Sequence, residues 1–243
     1  MTTAVPCQRC AGTGQTISLC AAERPCPTCH GTGEHRWVSV FIQARLASHR
    51  YPGKVLVPVG GVPMLQRVYD LARQLQRVDQ VVGIAPWGDR FSGLPVWAWP
   101  DLAEDDVLGR YQRAAQQAHA DVIVRLTGDC PVLDLTLCQA VLDRLLTEPD
   151  LDYVRTIDVP SGLDCESFTR DLLDRAAEHA TAPADREHVT PWMQRQARIG
   201  TVCLASPWRG PNKVSIDTPE DWHNVTAWLT SPRRVAFETA SVV

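Results

Sequence analysis

From residue 38 onward, apolar positions fall into two alternating patterns: short unbroken apolar runs, and stretches in which apolar residues recur at helical spacing. Residues 38–42, 81–85 and 122–126 read as strands. Runs without polar alternation suit a parallel sheet buried on both faces. Residues 64–76, 105–119 and 135–148, and a stretch near 171–179, carry the helical period. A short strand at 152–154 follows, then strands near 201–204 and 214–216. A final helix at 218–229 precedes a tail from Thr230 expected to be loose. Strands alternating with helices predict an α/β fold, a mostly parallel sheet with helices on both faces. In such sheets ligands bind beyond the carboxyl ends of the strands. Residues 1–36 show neither pattern. They are rich in Gly, Cys, Thr and Pro and cannot build a core alone, so the chain divides into a small module, 1–36, and an α/β domain, 37–243.

Composition narrows the function classes. At 243 residues, 44% hydrophobic and 21% charged, the chain is an ordinary globular sequence. A net charge of −4 gives no general attraction to nucleic acid or anionic membrane. No apolar run approaches the roughly 18 residues that span a bilayer. Residues 1–6 lack a signal segment, so the expected compartment is the cytoplasm.

Four of the nine cysteines form two pairs, Cys7 with Cys10 and Cys26 with Cys29. The Cys-x2-Cys-x15-Cys-x2-Cys spacing suits one tetrahedral structural zinc held by four thiolates. The alternative is a pair of unrelated turns with free thiols. His30 and His35 could substitute as ligands, although four cysteines already fill the shell. The repeats, Cys7 to Gly14 and Cys26 to Gly33, resemble the Cys-x-x-Cys-x-Gly-x-Gly repeats of DnaJ-type zinc domains, with two copies in place of four.

Behind the first strand lies a loop carrying Arg45, Arg50, a Pro-Gly turn and Lys54. Of the 24 lysines and arginines only Lys54 and Lys213 are lysines, so the lysine in this loop stands out. Side-chain cations with turn N–H groups form a cradle for a polyphosphate; a solvated basic loop is the competing reading. Asp129, between Gly128 and Pro131 at a strand end, suits a hard cation such as Mg2+, yet also suits a plain turn. Thr218, Pro219, Glu220 and Asp221 are ordinary helix-start chemistry, which leaves Asp217 without a role.

The loop 43–56, the Gly-Asp-x-Pro turn at 128–131 and the Asp-Thr-Pro-Glu-Asp segment at 217–221 together resemble the cytidylyltransferases that activate acidic sugars, acylneuraminate and 3-deoxy-manno-octulosonate among them. Segments 104–111, 162–168 and 186–191 resemble the spore-coat polysaccharide biosynthesis branch. The resemblance spans roughly residues 38–230 and implies the Rossmann-like nucleotide-diphospho-sugar transferase fold and a Mg2+-dependent transfer of CMP from CTP. It implies that Arg45 and Lys54 bind the triphosphate, within a nucleotide loop that includes Gln43, Ala44 and Arg50. Asp129 and Asp217 would hold Mg2+, and Arg110 would lie near the nucleotide. Asp164, Glu166, Arg186 and His188 would line the acceptor side. The polar substrate loops of the acidic-sugar enzymes are not recognisable, so the acceptor is left open. The implied partners are CTP and a small acceptor, most simply a sugar, with room for a homodimer and no role for membrane or nucleic acid. Two alternatives stand beside this reading: a glycosyltransferase of similar topology, which leaves the Arg45–Lys54 loop unexplained, and a zinc-knuckle nucleic-acid-binding protein, against which the net charge counts.

Overall fold

A computed structural model describes residues 5–6, 11–17, 23–25 and 33–231. Seven strands form the main sheet: β1 (Val38–Gln43), β2 (Gln80–Ile84), β3 (Val96–Trp97), β4 (Val122–Thr127), β5 (Tyr153–Thr156), β6 (Glu166–Thr169) and β7 (Ile199–Val202). Their order across the sheet is β7-β5-β6-β4-β1-β2-β3. All run parallel except β6, which lies antiparallel between β4 and β5. The helices are α1 (Met64–Ala72), α2 (Val107–Gln117), α3 (Leu135–Thr147), α4 (Arg170–His179), α5 (Pro183–His188), α6 (Pro191–Gln196) and α7 (Pro219–Leu229). None of the described helices is long and apolar enough to cross a membrane.

The apolar runs are buried on both faces, as their lack of alternation requires. In β1, Val40 and Ile42 pack with Leu65 and Val68 of α1 and Val141 and Leu142 of α3. Phe41, between them, points to the other face and joins Tyr111 of α2 and Leu172 of α4. In β4, Val124 and Ile123 divide in the same way, which is the period of two in a pleated strand. A third cluster at the carboxyl end of the sheet joins Val59, Met64, Leu163, Val214, Ile216 and Val225 of α7.

Several expectations change. Helix α1 ends at Ala72, not at 76, because Gln74 and Leu75 donate to carbonyls three residues back, which tightens the coil. Residues 214–216 do not form a strand. The Val214 and Ser215 N–H groups both donate to Ser161 O, and that of Ile216 to Asp129 O at 2.9 Å, so loop carbonyls take the place of a ladder. Strand β6 was not foreseen: its Glu-Ser-Phe-Thr sequence carries one large apolar residue. It is held by its neighbours, with the buried Ser167 hydroxyl donating to Ile123 O. Within 1–36, Val5–Pro6 pairs antiparallel with Glu34–His35, and Gln15–Ile17 with Glu23–Pro25. His35 reaches the α/β domain through Asp79 at 3.1 Å. Cys7, Cys10, Cys26 and Cys29, and with them the zinc expectation, lie outside the described residues, as does the tail beyond 231.

Candidate functional site

A cavity of about 280 Å3 opens at the carboxyl ends of β1 and β4. Its first wall is the loop leaving β1. Ala44 N donates to Ile84 O of β2, and Gly53 N folds back to Leu46 O at 2.9 Å, closing the loop on itself. Gly53 sits at φ 71, a conformation that glycine adopts without steric cost, and it starts the 3-10 turn Lys54–Leu56. That turn drives Lys54 inward, so that its side chain is only 9% exposed.

The second wall is the turn after β4, where Gly128 N donates to Gln43 O and Asp129 faces the cavity. The third is the stretch before α7. A hydrogen bond from Ile216 N to Asp129 O ties this stretch to the second wall and delivers Asp217 beside Asp129. Behind it, a capping box starts α7: Asp221 N donates to the Thr218 hydroxyl, and the Asp221 carboxylate accepts from the N–H groups of Asp217 and Thr218. Helix-start chemistry therefore accounts for residues 218–221, and Asp217 is left free to face the cavity.

Charges converge on that residue. Asp217 Oδ1 pairs with Lys54 at 2.9 Å and with Arg50 at 2.9 Å, while its Oδ2 pairs with Lys213 at 3.0 Å. Lys54 Nζ also reaches Asp129 Oδ2 at 2.7 Å. Burial opposes ionisation of Asp217, but hydrogen bonds from Lys54 and Lys213 outweigh it and hold the carboxyl at about 2. The neighbouring Cys130 thiol is pushed up by burial and by Asp129, which leaves it protonated and unsuited to act as a nucleophile. Both lysines of the chain thus serve one carboxylate. Lys213 was missed as a site residue; its signal was its rarity, together with its place four residues before Asp217.

Gln43, Ala44, Arg45, Arg50, Lys54, Arg110, Asp129, His188 and Asp217 all line the cavity. Ser48, His49, Thr127 and Glu187 join them without having been foreseen. Arg45 makes no ion pair among the described residues. Arg110 is buried and spends its guanidinium on the carbonyls of Ala103 and Glu104, each at 2.8 Å.

Three expected acceptor-side residues are not brought to the cavity. Asp164 accepts from Gly162 N in a turn. Glu166 is enclosed by Arg125 at 2.5 Å, Thr190 at 3.0 Å and the Tyr153 hydroxyl, since β6 sets it opposite Arg125 in the ladder. Arg186 is tied to Asp106 at 2.7 Å and to the carbonyls of Ala177 and Ala180. These contacts anchor the elements around the site. His188 reaches the cavity through an unusual turn: Val189, fully buried, sits at φ 70 and ψ −56, and Thr190 N donates to His188 O at 2.8 Å. This is a γ-turn of the rare positive-φ kind, strained for a β-branched residue.

The donor set can be tested against a hard divalent cation. Asp129 Oδ2 and Asp217 Oδ1 both point at one cationic atom, Lys54 Nζ, so two carboxylate oxygens from different elements already converge on a single positive centre. Anionic oxygens in that arrangement are the ligands Mg2+ takes. No cluster of three or more His, Cys, Asp or Glu side chains suited to a metal occurs among the described residues. Two protein carboxylates with the remaining positions left to substrate phosphates and water fit the habit of Mg2+.

Comparison with known proteins shows what the chain as a whole is similar to. A family model described as cytidylyltransferase matches residues 39–85 and 103–206. The chain is 31% identical over 193 residues to an uncharacterised protein of Methanocaldococcus jannaschii, covering 75% of this chain and 79% of that one. It is 28% identical over 205 residues to the spore coat polysaccharide biosynthesis protein SpsF of Bacillus subtilis, covering 77% and 84%. Among solved structures, a cytidylyltransferase from Leptospira borgpetersenii superposes with a TM-score of 0.68 at 26% identity, covering 77% of this chain and 84% of that chain.

Proposed function

This chain belongs to the cytidylyltransferase family, and from that premise we propose that it transfers CMP from CTP to a hydroxyl of a sugar or related acceptor, with Mg2+ as its cation and pyrophosphate as the second product. Membership makes it a nucleotidyltransferase. The observation that carries the finer reading is the meeting of Lys54, Asp129 and Asp217 within 2.9 Å at the mouth of a parallel sheet.

In this reading the acceptor oxygen attacks the α-phosphorus, and the bond to the bridging oxygen of pyrophosphate breaks. Arg45, Arg50 and Lys54 hold the triphosphate and stabilise the charge that collects on the leaving group. Asp129 and Asp217 hold Mg2+, which when bound supplies charge neutralisation at the reacting phosphate. Gln43, Ala44 and Arg110 line the nucleotide side. On the acceptor side His188 carries the role once spread over four residues, because Asp164, Glu166 and Arg186 are engaged elsewhere. Its imidazole lines the cavity and is the side chain placed to accept the hydroxyl proton. Residues 1–36 carry a structural zinc on Cys7, Cys10, Cys26 and Cys29, a reading supported by their spacing.

Incubation with each nucleoside triphosphate, Mg2+ and a panel of sugars, with pyrophosphate as the readout, tests this function. Pyrophosphate release that depends on CTP, on Mg2+ and on one acceptor is expected. Turnover of a nucleotide-sugar without pyrophosphate would turn the assignment to a glycosyltransferase.

A further inference from the structure

Lys54 has two duties in the proposed reaction that it cannot perform from one position. It is read as a ligand of the triphosphate, yet here its ammonium lies between Asp129 and Asp217, at 2.7 and 2.9 Å, where their oxygens converge. The side chain is almost wholly enclosed, so the ion pairs are shielded from solvent far better than surface pairs are. A divalent cation seeking these same two oxygens must displace the ammonium. With no phosphate in the cavity, the displaced ammonium gives up both carboxylates, with Glu187 the one other acid lining the cavity, and two positive charges crowd one site. With a triphosphate present, the ammonium moves onto the phosphate oxygens and the carboxylates become free.

We propose that Lys54 is a built-in placeholder for the divalent cation, so that cation and nucleotide bind as a coupled pair and the cation alone binds poorly. The proposal rests on the reading of Asp129 and Asp217 as the cation's ligands. Lys213 has a different part. It bridges Asp217 Oδ2 at 3.0 Å and Asp221 at 2.6 Å, on the side away from Lys54, and so keeps Asp217 in place while its other oxygen changes partner. Arg50, on Oδ1 with a side chain 66% exposed, is free to leave with Lys54. Such coupling is reciprocal: whatever factor nucleotide adds to cation affinity, the cation adds to nucleotide affinity.

The test uses the full chain without nucleotide and Mn2+ as the probe, with free Mn2+ measured by electron paramagnetic resonance. Lys54→Met should bind Mn2+ more tightly than the wild type, by a factor within the usual range of site coupling, about 5–150-fold. It should do so although it loses activity. Lys213→Met removes an equal charge from the far side of Asp217 and should change Mn2+ affinity much less. An equal gain in the two variants would reduce the effect to net charge and overturn the placeholder. So would unchanged Mn2+ binding in Lys54→Met. A second measurement needs no variant. With 15N-labelled lysine, the wild type carries only two side-chain ammonium groups, and CTP should shift the Lys54 resonance while leaving that of Lys213 in place; an unmoved Lys54 overturns the proposal. If instead Asp129→Asn and Asp217→Asn in the Lys54→Met background left Mn2+ binding intact, the carboxylate assignment itself would fall, a result distinct from failure of the placeholder.

Discussion

At the residue scale, the proposed sharing of one cation by Asp129 and Asp217 is tested by their variants. Asp217→Asn and Asp129→Asn should each lower pyrophosphate release on the order of 10²-fold or more with the fold retained. The double variant should be scarcely worse than either, since groups that share one task are strongly non-additive. Independent, multiplicative losses would show that the two carboxylates do not share a cation. The same ion pairs predict an acid response. Asp217 is held at about 2 against an ordinary value of 3.8. Its contribution to stability is therefore present above 3.8 and lost as pH falls through about 2. Urea midpoints of wild type and Asp217→Asn should thus differ most near pH 6 and converge toward pH 2; a gap independent of pH would refute this. Lys54 shows why sequence misjudges such a residue. In a Pro-Gly loop it reads as an exposed, stability-neutral cation, whereas the 3-10 turn buries it against two acids.

At the element scale, the stretch that presents Asp217 is held from both ends. Thr218 caps α7, and Thr218→Ala should cost about 1 kcal/mol of stability, read as a lower urea midpoint, with less effect on turnover than Asp217→Asn. At the other end, Gly162 lies at φ +103, and a Cβ there would stand 2.3 Å from Ser215 N. Gly162→Ala must therefore push the 161–163 turn away from the 213–215 stretch, and should lower both stability and cation-dependent activity. A variant as stable and active as the wild type would mean that this close approach does not position Asp217. The helix start of α7 is legible in sequence because Thr, Pro and acids at fixed offsets satisfy local N–H groups. The support beneath Asp217 is not, since Ser161 and Asp129 lie far from it along the chain.

At the scale of the whole molecule, the two parts of the chain should respond separately to metal removal. Elemental analysis of protein purified without chelator should give about one zinc per chain, and Cys26→Ser should abolish it. Because the residues lining the cavity all lie beyond residue 42, a zinc-selective chelator should leave Mg2+-dependent pyrophosphate release largely unchanged. A parallel loss of zinc and activity would show that the module supports the catalytic domain.

Sequence alone determined the α/β class and the central strands and drew attention to the basic loop at 43–56, because local periodicity and turn chemistry depend only on neighbours along the chain. It also singled out Asp217, as the one residue helix capping could not explain. Tertiary structure decided the rest. The antiparallel strand β6 exists because β4 and β5 offer it hydrogen-bond partners and a slot for Phe168, not because Glu-Ser-Phe-Thr favours a strand. Glu166 and Arg186 were drawn away from the cavity by partners on other elements, Asp164 was held in its own turn by Gly162 N, and Glu187 was brought to the cavity. Lys213 became a partner of Asp217 through the course of residues 213–216, which loop carbonyls hold in place. Charge pairing inside a protein is set by which side chains the fold brings within a few ångströms, and the order of residues does not state that distance.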